Sequence, residues 1–216
     1  MTIIVGVKFA KGVVVATDSR STYGEAEYMW DTERKIDSLN EKVAVTSSGI
    51  RAATNRIFKD LKAYVETNKN PSFDEIVRKC EDIMSNFYKR YSGRLKEELE
   101  NGWSIEIFSS ERMVLVDSDA VAGEEESYLC DGSGTPYAEY ILRQHYKSNL
   151  TEQECKELAC YVVLQTSKID PNVGGPVNLC VIKESGLEHV SRQKIDEIVE
   201  NITEIPAEQQ LKIQSR

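Results

Sequence analysis

Apolar and polar positions alternate almost from the first residue. Ile3, Val5, Val7 and Phe9 lie on one side of an extended chain, with Thr2, Ile4, Gly6 and Lys8 on the other. A period of two predicts a β-strand with one strongly apolar face. Residues 13–16 are apolar at every position, the pattern of a strand buried on both faces. Ala10-Lys11-Gly12 between the two is short enough for a hairpin turn. A second strand pair is predicted over 35–39 and 42–47, turning at Asn40-Glu41.

The period then changes. Ala53, Ile57, Leu61 and Tyr64 recur at helical spacing over 50–65. Ser72 with Glu75 forms a capping-box pattern that opens a long helix carrying Ile76, Cys80, Ile83, Phe87, Tyr91 and Leu95. Strands resume over 104–108 and 113–116, with a third near Tyr128. One helix starts after Gly134, and a second capping box, Thr151 with Glu154, opens another. Strands near 177–182 and 188–190 and a short helix over 195–199 follow. The polar residues from about 204 onward are expected to be loosely held. This order predicts one α+β domain spanning 1–216. A four-layer α-β-β-α sandwich accommodates it, with the two helix pairs on the outer faces of two packed sheets.

Composition narrows the chemistry. The 216 residues carry 27 Lys and Arg against 36 Asp and Glu, a formal charge of −9, which disfavours nucleic acid as a partner. No apolar run approaches the roughly 18 residues of a membrane span, and Lys8 interrupts the first apolar stretch before it resembles a secretory signal. Five cysteines without a C-x-x-C pair suit a reducing cytoplasm. The only histidines are His145 and His189, so any proton transfer here falls mostly to other groups.

Thr2 offers one such route. Removal of Met1 exposes an α-amine beside the threonine hydroxyl, and a terminal amine with a reference pKa of about 7.7–8.0 is partly neutral at physiological pH. It can take the hydroxyl proton directly or through a water, which makes the side-chain oxygen a nucleophile. The first hairpin places other groups beside it. With its turn at Ala10-Lys11, facing residues sum to about 21, so Thr2 falls opposite Ser19 and near Asp18 and Arg20.

Thr2, Val5-Gly6-Val7-Lys8-Phe9, the run from Gly12 through Asp18-Ser19-Arg20, and Gly24 together resemble the start of a proteasome β-type subunit, an N-terminal-nucleophile (Ntn) hydrolase. The sixteen-residue step from Thr2 to Asp18 is also that family's. The resemblance continues through Arg34-Lys35-Ile36, Ser48-Gly49, Asp131-Gly132-Ser133-Gly134 and Asp170 with Gly174-Gly175, up to about Lys183. It implies that Thr2 supplies nucleophile and amine. Lys35 would keep their pKa values low by its positive charge, and Asp18 would hold Lys35 charged and in place. The Gly49 N–H would meet the tetrahedral oxyanion. Ser133 and Asp170 would hydrogen-bond around the amine and position a water, while Arg20 would brace the loop containing Asp170. Ser47 and Arg51 match positions near the family's specificity pocket, where Arg51 would favour an acidic substrate residue.

The implied activity is threonine-type cleavage of peptide bonds, with no metal or organic cofactor. The implied partners are polypeptide substrates, rings of about seven like subunits stacked face to face, and α-type subunits or an ATPase. Helical faces bearing Tyr88, Tyr91 and Tyr140 are candidates for subunit contacts or for core packing. One departure is Val173, where many relatives carry a serine; another is that only Met1 precedes Thr2. A non-catalytic ring subunit and an Ntn amidohydrolase are the alternative readings.

Overall fold

The computed structural model describes residues 2–23, 28–31, 34–93 and 102–204. Leu95 and the tail beyond 204, both covered by the expectations above, lie outside them. The chain runs β1 (Ile4–Phe9), β2 (Gly12–Thr17), β3 (Ser21–Tyr23), β4 (Tyr28–Trp30), β5 (Asp37–Ser38), β6 (Ala44–Ser48), α1 (Arg51–Thr67) and α2 (Phe73–Tyr91). It continues with β7 (Ser104–Phe108), β8 (Met113–Val116), β9 (Ala122–Glu125), β10 (Tyr128–Asp131), α3 (Thr135–His145), α4 (Glu152–Ser167), β11 (Asn178–Lys183), β12 (Gly186–His189) and α5 (Arg192–Glu204). Among the described residues these strands form two five-stranded antiparallel sheets, ordered β10-β1-β2-β11-β12 and β5-β6-β7-β8-β9, and the separate β3-β4 hairpin.

Three apolar clusters turn those sheets into four layers. The β1 residues Ile3-side of the pleat, Val5, Val7 and Phe9, pack with Val14 and Ala16 of β2 against Leu142 of α3, Leu158 and Val162 of α4, and Ile195 and Ile198 of α5. Val45, Ile105 and Ile107 of the second sheet pack against Ile57 and Leu61 of α1 and Ile76 and Met84 of α2. The facing surfaces of the sheets, Ile4, Val13 and Val15 on one and Ala44, Phe108 and Met113 on the other, form the middle cluster. The unbroken apolar run of β2 now has its reason: the strand sits mid-sheet, with Val14 and Ala16 outward to the helices and Val13 and Val15 inward to the other sheet. The result is an α+β, α-β-β-α sandwich.

Both capping boxes are present, with the Ser72 and Thr151 hydroxyls accepting from the backbone N–H of Glu75 and Glu154. The second hairpin is shorter than its pattern suggests. Only Asp37 and Ser38 pair with β6, and Lys35 sits in the irregular segment before them. The β3-β4 hairpin and β9 lie outside the sequence expectation. Tyr88 and Tyr91 pack partly against the α1–α2 side of the second sheet, whereas Tyr140 on α3 is exposed.

Candidate active site

The β1-β2 ladder pairs Ile4 with Thr17 and Val5 with Ala16, so the register sums to 21 and carries Thr2 alongside the residues that follow β2. Just past the ladder, the Asp18 N–H donates to the Ile3 carbonyl (3.3 Å), and the Asp18 side chain turns back on Thr2. The Thr2 hydroxyl donates to Asp18 Oδ1 at 2.5 Å. Lys35 Nζ reaches in from the segment before β5, 2.8 Å from Thr2 Oγ1 and 2.8 Å from Asp18 Oδ1. Thr2, Asp18 and Lys35, 33 positions apart at the extremes, therefore share one small volume.

Burial sharpens their electrostatics. Asp18 is fully buried and Lys35 exposes a tenth of its side chain, so the pair is far less screened by solvent than a surface ion pair. Every group that touches the carboxylate is a donor. Oδ1 also accepts from the Ile3 N–H (3.1 Å), and Oδ2 accepts from the N–H groups of Arg20 and Gly174, both at 3.2 Å. Hydrogen bonds of this charge-assisted kind fix both members of the pair in place.

Arg20 ties a second loop to the site. Its guanidinium donates to both oxygens of Asp31 (2.8 and 3.1 Å) and to the Pro171 carbonyl (3.0 Å). Hydrogen bonding to Arg20 holds the Asp31 carboxyl below its usual range, with help from the nearby Lys35 charge, and raises Arg20 in turn. The Gly174 carbonyl accepts from the Ser19 and Arg20 N–H groups. Asp170 lies in this loop, buried, with Oδ1 accepting from the Asn172 N–H (2.9 Å) and side-chain amide (3.1 Å). Its Oδ2 is buried without a partner among the described residues. Val173 is fully buried in the cluster that contains Ile3 and Val163.

The turn after β10 closes over Thr2 from the other side. The Gly134 N–H (3.3 Å) and, more distantly, the Ser133 hydroxyl (3.4 Å) donate to the Thr2 carbonyl. Gly132 has φ +106°, and a Cβ there would sit 2.3 Å from the Thr2 carbonyl oxygen. Only glycine lets this backbone come so close. Gly49 follows the same logic at the end of β6. With φ +92°, a side chain there would stand 2.6 Å from Trp103 Cβ.

Thr2, Lys35 and Gly49 line one cleft of about 160 Å³, together with Ser47 and Arg51. The nucleophile candidate, the cation, the close-approach glycine and both pocket residues thus border a single space, while Ser133 touches Thr2 through its carbonyl and Asp170 is held within its own loop. Asp31 was missed in the sequence because a lone carboxylate near Arg20 has no motif; the nearby arginine was the available hint. Among the described residues no group of three or more His, Cys, Asp or Glu side chains is placed to hold a metal ion, and no helix is long and apolar enough to cross a membrane.

Comparison with known proteins gives the chain a family. The proteasome subunit family matches residues 2–182. Proteasome subunit beta 2 of Pyrobaculum arsenaticum is 31% identical over 188 residues, covering 84% of this chain and 89% of the relative. Proteasome subunit beta of Methanococcus aeolicus is 28% identical over 203 residues, 91% of each chain. Proteasome subunit beta of Halorubrum lacusprofundi is 26% identical over 202 residues, 92% of this chain and 80% of the relative. With the match running from Thr2 through β11 and the sandwich built as described, the chain belongs to the proteasome subunit family, as a β-type member of the Ntn-hydrolase class.

Proposed function

We propose that this chain is a threonine-type endopeptidase, with Thr2 as nucleophile once Met1 has been removed. The observation that carries this reading is the position of Lys35 Nζ, 2.8 Å from both Thr2 Oγ1 and Asp18 Oδ1. An ammonium at that distance favours the oxyanionic form of the hydroxyl and disfavours protonation of a neighbouring amine. Asp18, gripped by three backbone N–H groups, keeps that charge aimed at the hydroxyl.

The reaction is acyl transfer. The freed α-amine takes the Oγ1 proton as Oγ1 attacks a peptide carbonyl carbon, and the Gly49 N–H donates to the oxyanion that forms. The C–N bond breaks as the ammonium returns its proton to the departing amine, leaving an ester on Thr2. Water then gives a proton to the same amine and attacks the ester; the C–O bond breaks and the proton goes back to Oγ1. The unpartnered Asp170 Oδ2 and the Ser133 hydroxyl are the groups we assign to the ammonium form and to the water. The apolar Val173 leaves that assignment to these two.

The substrates we propose are polypeptides, with Arg51 at the cleft supporting a preference for acidic residues. Self-association into rings is proposed from the family, with α-type subunits or an ATPase as further partners. Intact-protein mass spectrometry with an electrophile directed at terminal threonines tests the nucleophile. Loss of the Met1 mass and one adduct on Thr2 are expected; a processed chain that never reacts would leave only a scaffolding role. Equal cleavage of acidic and neutral reporter peptides would remove the Arg51 preference.

A further inference from the structure

A further buried carboxyl lies between the sheets, outside the chemistry assigned above. Alternation along β7 puts Ser104, Glu106 and Phe108 on the face toward the first sheet, and the ladder sets Thr46 beside Glu106 and Ser48 beside Ser104. The inter-sheet layer is apolar at its Phe108 end and polar at the end toward the cleft. Glu106 is fully buried. Thr46 donates to its Oε2 (2.7 Å), and its Oε1 lies 2.6 Å from Ser104 Oγ. That same Ser104 oxygen lies 2.6 Å from Oδ2 of Asp131, on β10 of the opposite sheet, and Ser48 Oγ is 2.6 Å from the same Asp131 oxygen.

Proton counting makes this arrangement specific. Ser104 has one hydroxyl proton and three close oxygens, the two carboxyl oxygens and Ser48 Oγ at 2.8 Å, so it can donate to only one of them. Whichever of them it chooses, at least one of the two carboxyl contacts at 2.6 Å needs a proton from the carboxyl side. We propose that Glu106 and Asp131 share such a proton through Ser104, and that this bridge is a positioning element setting the gap between Thr2 and the Gly49 N–H. Burial, then the Asp131 charge, push the Glu106 carboxyl up to about 8, against the opposing pull of the Ser104 and Thr46 hydrogen bonds. Among the described residues its charge also acts on the Cys80 thiol of α2, which burial, then Glu106 and Glu81, push up.

Position gives the bridge its role. Ser48 precedes Gly49, the oxyanion-donor candidate on the second sheet. Asp131 precedes the Gly132–Gly134 turn that holds the Thr2 carbonyl on the first. The nucleophile and its oxyanion donor therefore come from different sheets, joined at this end through Ser48, Ser104, Glu106 and Asp131. Ionising Glu106 puts two facing carboxylates around one hydroxyl, and the sheets respond by parting there.

The inference rests on Thr2 as nucleophile, and its test separates the two. Glu106→Leu, in the assembled protein, is expected to lower kcat for a peptide reporter by about tenfold with little change in KM, since small displacements of reacting groups carry such penalties. Glu106→Gln keeps a donor toward Ser104 and is expected to recover most of that loss and to remove the fall in kcat as pH rises through about 8. Isotope-edited infrared spectroscopy should show the carboxylic acid of Glu106 at neutral pH in the wild type. Wild-type activity without that band, or an unaltered alkaline fall in Glu106→Gln, overturns the proposal and leaves the peptidase reading standing. A visible band in a protein whose Thr2 reacts at no pH sinks the positioning role together with the peptidase reading.

Discussion

Asp18 and Glu106 are both fully buried carboxyls near the same cleft, yet their surroundings are opposite. Asp18 meets an ammonium, a hydroxyl and three backbone N–H groups. Glu106 meets two hydroxyls and another carboxyl. Burial alone therefore does not decide what a carboxyl does. Removal from water penalises charge, and only a cation or several donors restore it. The Asp18 set builds a fixed field around Thr2, whereas the Glu106 set is built around a proton.

The largest expected effect tests the first half of that contrast. Thr2→Ala should reduce peptide hydrolysis by about a thousandfold or more, as removal of a nucleophile does elsewhere, while native mass spectrometry finds the same assembly as in the wild type. Substantial residual cleavage would move the nucleophile elsewhere. Asp18→Asn keeps the shape but removes the negative charge that the Lys35 ammonium touches and turns a donor toward the Ile3, Arg20 or Gly174 N–H groups. A loss of about 3–5 kcal/mol is expected, typical of breaking a buried pair from one side, measured by chemical denaturation.

Glu106→Gln sharpens the second half. An unfolded glutamate gives up its proton near 4.5, while the folded Glu106 keeps it to about 8. Between those values the folded state holds the extra proton, so stability falls as pH rises through the window and levels off above it. Melting temperatures over a pH series should show this slope in the wild type and a flatter one in Glu106→Gln; identical slopes would mean that Glu106 is ionised in the fold. The smallest effect belongs to Asp31→Asn. Asp31 is 41% exposed at its side chain, so its bond to Arg20 should contribute about 1 kcal/mol or less, read as a small shift in denaturation midpoint.

Local features were the legible ones. The 21-sum register, both capping boxes and the two-sided burial of β2 depend on neighbours within one strand pair or one helical turn, where spacing carries the information. The Thr2-Asp18 contact was legible for the same reason, through a hairpin. Lys35 reached the site only through resemblance, because the segment before β5 has no periodicity that aims a side chain. Glu106 had one weak signal, a charge in a strand whose same-face neighbour, Phe108, calls for burial. Its partner Asp131 lies on the other sheet, and no pattern within either segment links them.

The sequence by itself determined the elements and which face of each must leave water, because periodicity and capping act over a few residues. It also determined that any proton transfer here would fall mostly to groups other than histidine. Tertiary structure alone decided which polar groups meet: Lys35 with Thr2, Asp31 with Arg20, Asp131 with Glu106. Those pairings depend on how two sheets stack and where loops return, and in a space closed to water the partner a charge finds decides whether it persists.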